Sequence, residues 1–135
     1  DALPIYPGAA HDPTRQRRIV DAFLNAARTG DLDALIALLA PDATMLADAA
    51  AVRMGSPAEL RGAASVAGMF SGRALGASAV LLDGHVAIAW VIEGTPKVVW
   101  DVVYDHEHHI THIDMLATPS TLALLDLSAE PGVEG

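Results

Sequence analysis

The chain has 135 residues, of which 52% are hydrophobic, so it is long enough to enclose one core without disulfides. Its 17 acidic residues outnumber 8 basic ones and give a formal net charge of −9, which excludes nucleic-acid binding by this domain because phosphates would be repelled. It has no cysteine, which excludes thiolate catalysis, and its apolar runs fall far short of the ~20 residues that a membrane span requires. These features favour a single cytoplasmic domain that binds neither nucleic acid nor a membrane.

The ends of the chain differ from its middle. Residues 1–11 contain two prolines and a glycine without a sustained hydrophobic period, which predicts a linker or a disordered lead. The chain starts at Asp1 rather than Met, and no basic stretch precedes an apolar one, so we expect a piece of a longer protein without a retained secretory signal. The folded domain is expected over residues 12–127, followed by a flexible acidic tail over residues 128–135.

Capping residues predict the helices of the first half. Asp12 is a suitable N-cap, Pro13 is a favourable first helical residue and Gly30 is a C-terminal stop, so a first helix is predicted between them. Asp31 caps a second, shorter helix, which Pro41 stops. A third helix is predicted where apolar residues recur at helical spacing, over residues 59–70.

The second half favours strands. Asp83-Gly84 is a two-residue hairpin signal, and longer turns are predicted over residues 93–96 and 105–109. Strands joined in this way form an antiparallel meander, predicted over 75–82, 85–93, 98–105 and 109–117. A short strand over 43–47 precedes them, and a last helix is predicted over 118–125. Helices followed by a meander predict an α+β fold with the helices on one face of the sheet.

Three segments carry a family resemblance. They read RRIVDAFL at 17–24, TGDLDAL at 29–35 and LAPDA at 39–43. Their order and residue sequence resemble the N-terminal part of SnoaL-like domains, which belong to the nuclear transport factor two and ketosteroid isomerase superfamily. The resemblance covers about residues 12–127 and implies a cone-shaped, curved antiparallel sheet packed against about three helices.

A closer resemblance is to the C-terminal SnoaL-like extension of certain extracytoplasmic-function sigma factors. It rests on Arg61-Gly62-Ala63, on Ile110–Asp114 and on Thr118–Leu122. Two features depart from that pattern: the last segment lacks its charged residues, and Asp48–Ala51 replaces a glycine-rich stretch. The resemblance implies a non-catalytic regulatory domain that modulates transcription initiation. It would contact sigma-factor core domains or RNA polymerase through Arg61, Pro119 and Leu122.

Enzymes of the superfamily suggest an alternative. They use a carboxylate, helped by His or Tyr, at the bottom of an apolar cone. A polyketide cyclase-like or ketosteroid isomerase-like enzyme would therefore need a desolvated aspartate as general base. The candidates are Asp48, Asp101, Asp114 and His112. Because this constellation is weak, we expect ligand holding rather than catalysis.

The register of the last hairpin decides what accompanies His112 and Asp114. These two residues are two apart in a strand, so their side chains share a face. An odd offset would add Asp101 to that face and give a carboxylate pair. An even offset would instead give an aromatic-walled pocket with one acid, because it would add Trp100, Val102 and Tyr104.

A histidine-rich turn offers metal ligands. His106, His108 and His109, with His112 beyond the turn, could coordinate zinc or nickel. A tight turn directs such side chains into water, so an exposed turn is the preferred interpretation, and no metal or other cofactor is expected.

The resemblance also bears on ligands and partners. The cone is commonly hollow in this superfamily, so we expect a cavity for a small, flat apolar molecule. The residues expected to line it are Trp90, Trp100, Tyr104, Phe23 and Met69. The open face of the sheet in such folds often pairs with a second copy, which would give a homodimer.

Overall fold

The structure is a computed structural model that describes residues 12–73 and 76–129. The predicted lead, residues 1–11, and residues 130–135 of the predicted tail lie outside this range. The helices are α1 (Pro13–Thr29), α2 (Leu32–Leu38), α3 (Ala49–Arg53), α4 (Ala63–Phe70) and α5 (Pro119–Leu124). The strands are β1 (Leu39–Ala47), β2 (Glu59–Arg61), β3 (Ala77–Leu82), β4 (His85–Ile92), β5 (Thr95–Tyr104), β6 (Ile110–Leu116) and β7 (Leu127–Ala129).

Helix α1 begins and ends where its capping residues predict. The carboxylate of Asp12 accepts hydrogen bonds from the N–H groups of Thr14 and Arg15, at 3.0 and 3.3 Å. Gly30 adopts a φ of 73°, a left-handed conformation that favours glycine, and thereby ends the helix. The prediction of this helix is confirmed.

Two helix boundaries differ from the prediction because strand pairing takes over the backbone. Helix α2 ends at Leu38, and β1 already begins at Leu39 and continues through Pro41. Residues 59–61, predicted as the start of the third helix, pair with β1 as the strand β2. Gly62, with a φ of 93°, separates this strand from α4, which therefore begins only at Ala63.

The strands of the described chain form one sheet in the order β2-β1-β6-β5-β4-β3-β7. Strands β3 to β6 are the predicted antiparallel meander. The expectation of an entirely antiparallel sheet is wrong, because β1 runs parallel to β6. Residues 127–129 pair with β3, so the sheet includes Ser128 and Ala129, which were expected in the tail.

The two faces of the sheet carry different elements. The inner face, defined by Ile88, Trp100 and Ile113, shares the main core with residues of α1, α2 and α4. The outer face, defined by Ala87, Ala89 and Val99, packs against Leu122 of α5. The prediction that the helices gather on one face is therefore right for α1, α2 and α4 and wrong for α5. Within the described residues, none of the helices is long and apolar enough to cross a membrane.

Val86 pairs with Leu81 of β3, but on its other side the side chains of Gln16 and Tyr104 take the place of β5. The pairing of β4 with β5 extends to Ile88 opposite Trp100 and goes no further toward Val86. The N–H of Val86 donates to Oε1 of Gln16 at 2.9 Å, and its carbonyl accepts from the hydroxyl of Tyr104. These bonds satisfy buried backbone groups where the two strands separate.

The Gln16 bond generates a prediction. In Gln16→Leu the buried N–H of Val86 loses its acceptor, which should lower the free energy of unfolding by about 1–3 kcal/mol. Chemical denaturation measures the change. Arg18→Leu places the same side chain on the exposed side of α1 and should change stability by less than about 0.5 kcal/mol. Equal effects of the two substitutions would contradict the assigned role of Gln16.

Candidate ligand-binding cavity

A cavity of about 430 Å³ opens at the inner face of the sheet, where β3, β4, β5 and β6 meet the segment that follows α4. A volume of this size accommodates a small organic molecule. It is lined by Met54, Gly72, Arg73, Gly76, Ala77, Trp90, Val98, Trp100 and Met115.

The two tryptophans supply most of the aromatic surface of the cavity. Trp100 is 7% exposed, and its ring lies edge-on to that of Phe70, with centroids 6.2 Å apart. Its buried indole N–H has no acceptor among the described residues. A buried donor without a partner costs about 1–3 kcal/mol, so an acceptor that reached this nitrogen would be favoured.

Glycine allows the chain to approach Trp90 closely. A Cβ atom on Gly76 would lie 3.3 Å from Nε1 of Trp90, tighter than an ordinary contact. Hydrogen bonds to α1 fix the backbone near Gly76. The N–H of Gly72 donates to the carbonyl of Ala27 at 2.7 Å, and the guanidinium of Arg28 donates to the carbonyl of Ala77 at 2.6 Å. The rim of the cavity is thus anchored at Gly72 and at Ala77.

The described lining of the cavity is apolar apart from Arg73 and holds no group that could act as a base. Among the described residues that line the cavity there is no aspartate, glutamate or histidine, and Arg73 is the one ionisable side chain. Proton abstraction beside a carbonyl needs such a base within hydrogen-bond reach of the substrate.

Asp48, a candidate base, serves the backbone instead. Its carboxylate accepts hydrogen bonds from the N–H groups of Ala51, Ala117 and Thr118, at 2.9, 2.9 and 3.0 Å. Burial acts to raise the pKa of Asp48, but these hydrogen bonds outweigh it and hold the pKa below its usual value. Asp48 therefore ties α3 to the end of β6 and is a weak base.

The other predicted catalytic residues lie on the outer face. Asp101 pairs directly with Asp114, and Val103 with His112, which is the odd register that groups the two carboxylates. Nε2 of His112 lies 2.8 Å from Asp114, and its Nδ1 lies 2.6 Å from the hydroxyl of Thr44. Because Trp100 and Met115 face the cavity from the adjacent positions, these groups point away from it.

A second histidine extends this outer-face group. Nε2 of His85 lies 2.7 Å from the carboxylate of Asp101. This hydrogen bond raises the pKa of His85, against the opposing effect of partial burial, and the charges of Asp101 and Asp83 add to the increase. The stabilisation from a raised histidine pKa is complete below about pH 6.5 and is lost as the pH rises through the raised value.

Three residues predicted to line the pocket have other positions. Phe23 is fully buried and packs edge-on against Phe70, with ring centroids 5.0 Å apart. The hydroxyl of Tyr104 donates a hydrogen bond to the backbone carbonyl of Val86. Burial, together with the charge of Asp101, raises the pKa of Tyr104. Met69 borders a separate cavity beside Leu60. Trp90 and Trp100 are the two predicted lining residues that the structure places at the candidate site.

The residues predicted to contact a partner also differ in position. Arg61 is exposed and pairs with Glu59 at 2.7 Å. Pro119 is exposed at the start of α5, whereas Leu122 is only 8% exposed and anchors that helix to the sheet. Arg61 and Pro119 are accessible to a partner, and Leu122 supports the surface from below.

The histidine-rich turn is dispersed. Nε2 of His108 accepts a hydrogen bond from the guanidinium of Arg15 at 3.0 Å, and His112 belongs to the outer-face group. His106 is not free either, because it also interacts with another group. The side chains whose ligand atoms do converge, within 4.8 Å of one another, are Asp105, Glu107 and His109. The Asp105 carboxylate accepts hydrogen bonds from the N–H groups of Glu107 and His109, so it shapes the turn.

Sequence reasoning missed several lining residues. Met115 lines the cavity because of the register between β5 and β6, which the sequence left open. Met54 lines it because of the turn that ends α3. Arg73 and Gly76 flank the transition from α4 to β3, where the change from helical to strand pattern was the available signal.

No family model matches the sequence, and no curated protein matches it. Solved structures do match. The extracytoplasmic-function sigma factor SigJ of Mycobacterium tuberculosis is 20% identical, with a TM-score of 0.62, over 83% of this chain and 45% of that chain. An NTF2-like protein from Burkholderia xenovorans is 16% identical, with a TM-score of 0.52, over 78% and 84%. A SnoaL-like protein from Burkholderia thailandensis is 16% identical, with a TM-score of 0.55, over 78% and 96%.

These matches show the fold. The chain is an α+β domain with the NTF2-like, SnoaL-like fold, as the sequence resemblance predicted. The likeness extends over most of the chain, whereas it accounts for less than half of the sigma factor.

The hydrogen bonds of Asp48 generate a prediction with a defined pH dependence. Asp48→Ala should lower the free energy of unfolding at pH 7 by about 2 kcal/mol, because three N–H groups lose their acceptor. A carboxylate with a lowered pKa stabilises the fold above about pH 4 and loses that effect as the pH falls through its lowered value, so the difference from wild type should shrink in acid. Denaturation from pH 7 to pH 2 tests this, with the exposed Asp42→Ala as control. A pH-independent difference would contradict the account.

Proposed function

We propose that this chain is a non-catalytic, ligand-holding regulatory domain, which binds a small, flat apolar molecule between Trp90 and Trp100. The observation that carries the proposal is a cavity of about 430 Å³ with two tryptophans and no acidic or histidine side chain among its described lining residues. Apolar and aromatic walls with few polar groups are typical of sites that hold a ligand.

The polyketide cyclase-like or ketosteroid isomerase-like alternative requires a carboxylate inside the cone. Asp101 and Asp114 lie on the outer face beside histidines, and Asp48 is held by backbone N–H groups. Neither position brings a base to a molecule in the cavity. The geometry therefore favours binding over proton transfer.

We further propose that the domain is the C-terminal part of an extracytoplasmic-function sigma factor and modulates transcription initiation. The sequence resemblance and the structural likeness to SigJ support this role. The proposed partners are sigma-factor core domains or RNA polymerase. The net charge of −9 suits basic surfaces on such partners, and Arg61 offers an exposed charge of the opposite sign.

Ligand binding is tested by removal of one cavity wall. Trp90→Ala should weaken the binding of 2-naphthamide, a neutral flat probe, by about tenfold, because an aromatic contact and its apolar area are lost. Isothermal titration calorimetry measures the affinity. Asp114→Asn is the control and should bind the probe like wild type, since Asp114 faces the other way. Loss of binding in Asp114→Asn alone would favour the enzyme alternative.

The regulatory role is tested in the full-length protein. Arg61→Glu should change transcription initiation in a purified system by about fivefold, which corresponds to ~1 kcal/mol for the reversal of an exposed ion-pair contact. Arg53→Glu, an exposed charge reversal on α3, is the matched control. Because Leu122 is buried, substitutions there would test stability rather than contact. Equal initiation by the wild type and both variants would contradict a partner contact at Arg61.

A further inference from the structure

Arg73 occupies the junction of two cavities. It lines the tryptophan-walled cavity of about 430 Å³, and it also lines a neighbouring cavity of about 330 Å³ together with Leu60, Ser65 and Met69. Among the described residues that line these two cavities, it is the one ionisable side chain. A ligand in either space therefore meets a single positive charge.

The guanidinium of Arg73 has no carboxylate partner within the described part of the chain. Four of the other six arginines in this acidic protein are occupied, and three of these, Arg15, Arg17 and Arg61, pair with aspartate or glutamate at 3.4, 2.8 and 2.7 Å. Arg28 donates to a backbone carbonyl. An arginine that borders an apolar cavity and has no such partner can pair with an acidic group that a ligand supplies.

The backbone fixes Arg73 at the rim. Its own N–H donates to the carbonyl of Phe70 at 2.9 Å, and the N–H of the preceding Gly72 donates to Ala27 at 2.7 Å. These bonds connect the residue to the ends of α4 and α1, so the base of its side chain has a defined position relative to Trp90 and Trp100. Arg73 is exposed at the rim, where a ligand can reach it, and a guanidinium presents parallel donors that match the two oxygens of a carboxylate.

We propose that the cavity takes a monocarboxylic acid, whose flat apolar body lies between Trp90 and Trp100 and whose carboxylate pairs with Arg73. This inference rests on the proposed ligand-holding function and names the chemical class of its ligand. One guanidinium neutralises one charge, which fits a carboxylate better than a doubly charged phosphate in a chain of net charge −9.

The test compares two probes of nearly the same shape, 2-naphthoic acid and 2-naphthamide, with the 135-residue chain at pH 7. Both tryptophans of the chain line the cavity, so their two indole N–H signals in a ¹⁵N-labelled sample report binding there. The acid should bind wild type about tenfold more tightly than the amide, as expected for a charge-assisted pair. Arg73→Gln should abolish this preference, so that it binds the acid no more tightly than the amide. Arg53→Gln removes an exposed arginine that does not line the cavity and should keep the preference.

The outcomes separate this inference from the function on which it rests. Equal affinity for acid and amide in wild type, or an acid preference that survives in Arg73→Gln, would overturn the carboxylate inference and leave ligand holding intact. If neither probe shifted an indole signal at saturating concentration, both the carboxylate inference and the proposed function would fail.

Discussion

The register between β5 and β6 is the constraint on which the site depends. Trp100 lies opposite Met115 and Asp101 opposite Asp114, so successive positions alternate between the cavity and the outer face. A slip of one residue between the two strands would turn one of them over relative to the other, because the side-chain period of a strand is two. Trp100 and Asp114 would then share a face, so that either a carboxylate would enter the cavity or Trp100 would leave it. The burial of Val102, Ile113 and Met115 in the main core specifies the observed register.

This register separates two kinds of chemistry. The inner face retains apolar and aromatic surface, whereas the outer face carries His85, Asp101, His112 and Asp114 in hydrogen-bonded pairs. The inward positions beside those acids are Trp100 and Met115, so the acids themselves face away from the cavity. The described lining of the cavity is therefore apolar and aromatic apart from Arg73 and holds no acid or histidine, which supports the proposal of ligand holding.

Local signals made much of the fold predictable. Asp12, Pro13 and Gly30 defined α1, and the turn signals defined the meander, because capping and hairpin turns act between near neighbours. The parallel pairing of β1 with β6 and the short strand β2 depend on contacts distant in sequence and were missed. For the site, the sequence suggested Trp90 and Trp100, which line the cavity, whereas the change of pattern near Arg73 does not by itself mark a cavity rim. The face of the sheet on which His112 and Asp114 lie could be known only from the register between β5 and β6.

The most direct test of the account is a crystal structure of the chain grown with 2-naphthamide. The account predicts the molecule in the cavity between Trp90 and Trp100, with Asp101 and Asp114 paired to histidines on the opposite face of the sheet. A cavity closed by side chains, or a molecule bound beside Asp101 and Asp114, would contradict it.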